Sequence, residues 1–272
     1  MDITSAGGCK NNEQERATYQ QSAKYGWKLY PAGFGGLSNC MALYKYLPSQ
    51  YADAFLRGEI LFRNLSYFKR LDCRSRGDAT EGIHRDRPEG GATLENLSMG
   101  GTVYGDFTSL NEIDSDLVFV FCTSEIFDEA LFHEFEADCC IEIDNPEELE
   151  KRIQRRVMSL VSTNKSIGLL RGLAIYYDPG KKAEFDVKDP TKIAFAKNIS
   201  YADQEEFRFA FGKGKKSFCI DPLGVKIVIS KLYDFQEEAK SGTEAEKKLL
   251  IGSIRDIARI HPDSPGVSNS KK

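Results

Sequence analysis

The run Gln204-Glu205-Glu206-Phe207-Arg208-Phe209-Ala210-Phe211 constrains the chain most. In an extended strand successive side chains point to opposite faces. Phe207, Phe209 and Phe211 then share one face with Glu205, while Gln204, Glu206 and Arg208 share the other. The aromatic face needs a core to pack against. A strand fixed by one buried face can hold polar groups rigidly on the other, as an active site requires. The same pattern suits a half-exposed strand with an ordinary surface ion pair, which stabilises little.

The rest of the chain bounds what that strand belongs to. Its 272 residues suit one large domain or two small ones, and 41% hydrophobic content against 29% charged content is that of a soluble globular protein. A net charge of −4 gives no global positive field that would advertise a nucleic-acid partner. No apolar run is long enough to span a bilayer. The first residues, MDITSAGGCKNNEQER, lack the apolar stretch of a secretory signal, so the expected location is the cytoplasm. The seven cysteines include no CxxC pair, and their odd number fits reduced thiols. Cys122, inside LVFVFC, reads as core packing, with a cysteine nucleophile as the alternative. His84, His133 and His261 are too scattered for a metal site, and no metal is expected.

Residues 1–25 read as a flexible polar arm, 26–261 as one domain and 262–272 as a disordered tail. Leu43–Tyr46 reads as a strand, Gln50–Arg57 as a helix capped by Ser49 and stopped by Gly58, and Glu59–Leu65 as a second strand. From Lys69 to Gly101 the chain is charged and glycine-rich. It reads either as a solvated loop or as a loop that folds over a charged ligand. The apolar run Leu117–Thr123 reads as a central strand. Glu125–Phe135 has helical spacing, and Asp138–Ile143 reads as a strand. Asn145-Pro146-Glu147-Glu148 opens a helix to about Val161, with acids at the positive end of its dipole. Strands are expected at 173–178, 192–196, 206–211 and 225–230, and an amphipathic helix at 244–260. Irregularly interspersed helices and strands predict an α+β fold.

Five motifs in order carry a resemblance: LYKY, GEILFRNLSYFKR, RGDATEG, a strand ending FCTS, and a late EEFRF. From about Leu43 to Phe211 the chain resembles a bacterial domain family linked to abortive infection. That layout is similar to the ADP-ribosyltransferase superfamily. The resemblance implies a split β-sandwich with peripheral helices that grips NAD as its substrate. By position, Lys45 stands where a His or Arg lies on the first strand of that superfamily, Ser66 or Tyr67 fills the middle role, and Glu206 is the late acid. Gln204 and Glu206 form the Q-x-E pattern that some members use.

These residue types fit the chemistry. Breaking the bond from nicotinamide to ribose builds oxocarbenium character at the sugar, as in glycoside cleavage. Glu206 can stabilise that charge and take a proton from the incoming nucleophile. Arg208, Lys45 and Arg76 are candidates to hold the pyrophosphate, since guanidinium groups match phosphate geometry. Tyr44 and Tyr46 are candidates to stack on a ring, with ordinary strand packing as the alternative.

The resemblance further implies a toxin or anti-phage effector, and with it a restraining antitoxin. Two basic groups, Arg152, Arg155 and Arg156 with Lys151 and Arg171, and Lys213, Lys215 and Lys216, point toward an RNA or single-stranded DNA acceptor ahead of protein. A solvated helix face and a lysine turn explain the same residues. Two other classes stay open. One is a metal-dependent nuclease with Asp78, Glu81 and Asp86 on magnesium. The other is a non-catalytic sensor or binding module.

Overall fold

The computed structural model describes residues 42–71, 77–86, 92–95, 100–105, 108–164, 167–179, 181, 184–214, 216–220, 226–228 and 243–268. The expected N-terminal arm, Arg76 and Lys215 lie outside them. In chain order come β1 (Leu43–Leu47), α1 (Ala52–Leu56), β2 (Glu59–Asn64), α2 (Leu65–Arg70), β3 (Ile83–Asp86), β4 (Ala92–Glu95), β5 (Thr102–Gly105) and β6 (Thr108–Glu112). Then follow β7 (Val118–Ser124), α3 (Ala130–Glu134), β8 (Cys139–Ile143), α4 (Pro146–Asn164), β9 (Ile167–Leu173), β10 (Ile175–Tyr177), α5 (Pro190–Phe195) and β11 (Ala196–Asn198). The last are β12 (Glu206–Gly212), β13 (Lys226–Val228), β14 (Glu246–Leu250), β15 (Ala258–Ile260) and α6 (Pro265–Ser268). The fold is α+β, as the sequence predicts.

Eight strands form the main sheet around β7. β12 lies along the whole of β7, with Glu206 opposite Ser124 and Gly212 opposite Val118. The other edge of β7 is shared. β2 pairs at Val120 and Phe119, and β1 pairs at Ser124. The sheet therefore forks, with β1 and β2 diverging from one central strand. β8 and β15 extend it beyond β1, β14 beyond β2, and β9 beyond β12. Every pairing in this sheet is antiparallel.

Alternation along β7 and β12 makes two cores. Phe207, Phe209 and Phe211 pack with Phe119 and Phe121 on one face, with Phe55, Phe62 and the inner side of α4. Each such ring contributes about 1.5–3 kcal/mol by burial. On the other face Val118, Val120 and Ala210 pack with Ile193, Ala194 and Phe195 of α5, and with Leu65 and Ile113. Both faces of β12 are thus covered, and all seven of its residues are buried. The polar face expected to lie open is a second interior.

Several local expectations change. The strand begins at Glu206, because residues 199–204 form a 3-10 turn and Glu205 takes a left-handed conformation (φ 38°). The segment 192–196 is mostly α5, because Asp189 caps it by accepting from the Thr191 N–H at 2.9 Å and Pro190 opens its first turn. The amphipathic helix expected at 244–260 is instead β14, a connecting loop and β15. The tail is ordered through α6, with Ser264 Oγ accepting from the Cys140 N–H at 2.9 Å. Among the described residues no helix is long and apolar enough to cross a membrane.

Candidate functional site

The second interior contains a charged cluster at the Glu206 end of β12. Glu206 and Arg208 lie on the face shared with Ala210, opposite the phenylalanines. The Arg208 Nε donates to Glu206 Oε1 at 2.5 Å. Its terminal nitrogens grip Glu81 as a bidentate pair at 2.9 and 2.6 Å, and one also donates to the Ala194 carbonyl at 2.9 Å. Lys197, from β11, forms an ion pair with Glu206 Oε2 and donates to Gln204 Oε1 at 2.6 Å. Gln204 in turn donates to Glu134 of α3. Arg208 is 1% exposed, and Glu81, Lys197 and Glu206 at most 5%, so these interactions act at low dielectric.

Local sequence explains how the groups converge. Asn198 caps the 3-10 turn by accepting from the Ser200 N–H at 3.0 Å. The left-handed Glu205 ends that turn and starts β12. Ser124 Oγ donates to the Gln204 carbonyl at 2.8 Å, tying the turn to the end of β7. β10 and β11 form a parallel ribbon in which Tyr176 pairs with Lys197. The Tyr176 hydroxyl accepts from the Glu206 N–H at 2.8 Å. Glu81 arrives from a turn before β3, where the Tyr201 hydroxyl donates to the Gly77 carbonyl at 2.8 Å. Within that turn Asp78 Oδ1 accepts from the Thr80 N–H at 2.8 Å.

Three buried carboxyl groups, Asp78, Glu81 and Glu206, share the neighbourhood with two cations, Lys197 and Arg208. Burial opposes ionisation of Glu206 most strongly. Arg208 and Lys197 outweigh it and hold the carboxyl well below the usual carboxylate range. Burial pushes the Glu81 carboxyl up, Arg208 only partly offsets this, and Asp78 reinforces it. One guanidinium thus serves two acids whose affinities for a proton move apart. Burial lowers the proton affinity of Lys197, but Glu206 overrides it and keeps the ammonium charged. Burial, with Glu206 adding to it, pushes the Cys122 thiol far up, which disfavours the thiolate.

The predicted site residues are brought together in part. Gln204, Glu206 and Arg208 meet, although Gln204 is held by Lys197 rather than by strand alternation. Tyr44 pairs with Ser124, which also pairs with Glu206, so Tyr44 lies two strands from Glu206, about 10 Å away. Its half-buried ring meets Phe127 at 5.9 Å and His261 at 6.0 Å. Lys45 points to the opposite face, with its ammonium 5.1 Å from the centre of the Phe121 ring and donating to the Cys122 carbonyl at 2.8 Å. Tyr46 is core. It packs on Phe132 and Phe135, and its hydroxyl accepts from the Asp128 N–H at 2.8 Å.

Ser66 and Tyr67 begin α2 instead of lying on a strand. β2 reaches β7 at Phe119, about 17 Å along the strand from Ser124, so these two sit toward the other end of the sheet. Ser66 Oγ donates to Asp116 at 2.5 Å, and the Tyr67 ring lies 3.9 Å under the Arg63 guanidinium.

The basic groups do not adjoin the cluster. The buried side of α4 packs on the phenylalanine face, opposite Glu206. Arg152 is clasped by Glu148 at 2.9 Å and by Asp256, and it donates to the Ser253 carbonyl at 2.7 Å. Arg155 reaches Glu148 at 3.5 Å and Arg156 reaches Ser159 at 3.2 Å. Lys213 and Lys216 are exposed just beyond Gly212, about 20 Å along β12 from Glu206.

Lys197, Tyr176 and Glu134 are not among the residues the sequence singles out, and Glu81 reads there as part of a loop over a charged ligand or as a magnesium ligand. The signal for Lys197 was a lone lysine closing the apolar run IAFAK. Among the described residues no group of three His, Cys, Asp or Glu side chains is arranged to hold a metal ion. Both oxygens of Glu81 are engaged by Arg208. Comparison with protein-family models, curated proteins and solved structures gave no match.

Proposed function

We propose that this chain is an NAD-dependent ADP-ribosyltransferase acting as a toxin or anti-phage effector, with Glu206 as its catalytic carboxylate. The observation that carries the reading is the state of Glu206. It is a buried carboxyl paired with both Arg208 and Lys197, which favour its ionised form, at a strand end beside the fork of the sheet. An ionised carboxylate in a low-dielectric site stabilises an oxocarbenium-like centre far better than one in water. Gln204 and Tyr44 supply an amide and an aromatic ring near the same end of the strands.

In this reaction the bond from ribose C1′ to the nicotinamide nitrogen breaks, and its electron pair leaves with neutral nicotinamide. An oxygen or nitrogen of the acceptor bonds to C1′, and its proton passes through Glu206 to solvent. The acceptor is a macromolecule, with RNA or single-stranded DNA ahead of protein. The exposed Arg155, Arg156, Lys213 and Lys216 are the groups that would meet a phosphate backbone, away from Glu206 itself.

The test is transfer of labelled ADP-ribose to total RNA, single-stranded DNA or lysate protein. Glu206-dependent label in one fraction supports the reading and names the acceptor class. Absence of both label and nicotinamide release contradicts it. A second reading, a non-catalytic binding module, is favoured by one observation. Both Glu206 oxygens and all three Arg208 nitrogens are already bonded within the protein.

A further inference from the structure

Glu206 is met from two sides by one small ribbon. Tyr176 and Lys197 are register partners in the β10–β11 pair. The Tyr176 hydroxyl takes the Glu206 backbone N–H at 2.8 Å, and the Lys197 ammonium takes the side-chain carboxylate. The same ammonium donates to Gln204 Oε1 at 2.6 Å. That contact fixes which end of the amide faces inward, since only the oxygen can accept from an ammonium. The amide nitrogen is thereby turned toward Glu134.

Strand geometry alone does not align Gln204 with Glu206. Glu205 between them is left-handed, and Gln204 belongs to the preceding turn. Lys197 meets both side chains. The Lys197 ammonium also lies 5.0 Å from the centre of the Tyr201 ring, which limits its rotamers. Lys197 is buried, with its ammonium turned to Glu206 and Gln204.

We propose that Lys197 is the positioning residue of this site, holding the Glu206 carboxylate and the Gln204 amide in one fixed arrangement for cleavage of the nicotinamide–ribose bond. The proposal rests on the transferase reading above. Lys197 acts through Glu206 and Gln204 and does not itself touch the reacting atoms. Misplacing a reacting group by about 1 Å costs on the order of 100-fold in rate, so the effect should be read in kcat more than in KM.

The experiment measures nicotinamide release from NAD across pH, with total RNA, single-stranded DNA or lysate protein supplied as acceptor, for the full chain, Lys197→Met and Lys197→Arg, alongside thermal melting. For Lys197→Met the expected result is a fall in kcat of about 100-fold with KM little changed. Its acid limb should move to higher pH, because an ammonium that favours the ionised Glu206 has gone. Lys197→Arg keeps the charge, so its acid limb should stay near that of the wild type while kcat lies between the other two. It also serves as the test if Lys197→Met does not fold.

A folded Lys197→Met protein with wild-type kcat and an unmoved acid limb would overturn the proposal and leave the transferase reading standing. So would an Arg variant whose acid limb moves as far as that of the Met variant. Absence of nicotinamide release from the wild type would overturn both.

Discussion

Arg208 and Glu81, 127 residues apart in sequence, are joined by two parallel hydrogen bonds of 2.9 and 2.6 Å in the interior between the sheet and α5. The pair fastens the 77–82 turn onto β12. It also fills the fork of Arg208, which the sequence offers as a candidate for a pyrophosphate. A ligand phosphate would have to displace Glu81 or bind elsewhere.

Removing one partner of such a pair leaves an uncompensated charge. Glu81→Ala should destabilise by about 3–5 kcal/mol. Glu81→Gln should cost less, because its amide oxygen can still accept from Arg208 and burial already penalises the native carboxylate. Urea denaturation of both variants checks the order, and equal losses would contradict it.

The pH dependence of stability follows from Glu206. Its folded pKa lies below the ordinary 4.5, so its contribution is present above that value and lost as pH falls through the folded value. The stability gap between wild type and Glu206→Gln should therefore be widest near neutrality. It should shrink as pH falls below 4.5. Lys197 has the opposite sign. Its raised folded pKa contributes stability below the ordinary 10.5, which is lost as pH rises through the folded value. Denaturant midpoints across acid and alkaline series measure both limbs.

Lys45 and Tyr44 separate by face. Lys45→Met should lower stability by about 1.5–3 kcal/mol, the worth of a charged hydrogen bond, and leave the KM for NAD unchanged. Tyr44→Ala should raise that KM. The reverse pattern would place the ligand on the phenylalanine face.

Gly58 has φ +87°, and a Cβ there would lie 1.9 Å from the Gly252 carbonyl oxygen. Gly252 is itself at φ +81°. The two backbones touch where Ile251 N–H donates to the Gly58 carbonyl at 3.0 Å, holding the segment after β14 against α1. Gly58→Ala should lower stability by more than about 1 kcal/mol, read from the urea midpoint.

The fold was legible where one period dominates. The apolar run of β7 and the phenylalanine alternation of β12 each identified a strand, and Asn145-Pro146 marked the start of α4. The stretch 244–260 misled because its spacing is also that of an exposed edge strand. In β14 only Leu249 is buried, while Glu246, Lys247, Lys248 and Leu250 face outward. Gly252 then breaks the run.

At the site, Glu206 and Arg208 were legible from their own strand. Lys197 was not, because its partners are reached through a capped turn and a left-handed residue. Glu81 was not, because the pairing with Arg208 spans 127 residues of chain. No local period carries either contact.

Nicotinamide release by wild type and Glu206→Gln, each shown to be folded by melting and near-ultraviolet circular dichroism, tests the central claim most directly. The account predicts a fall of about 100-fold or more in the variant, with a cooperative melt retained at a lower temperature. A folded Glu206→Gln protein that releases nicotinamide at the wild-type rate would contradict it.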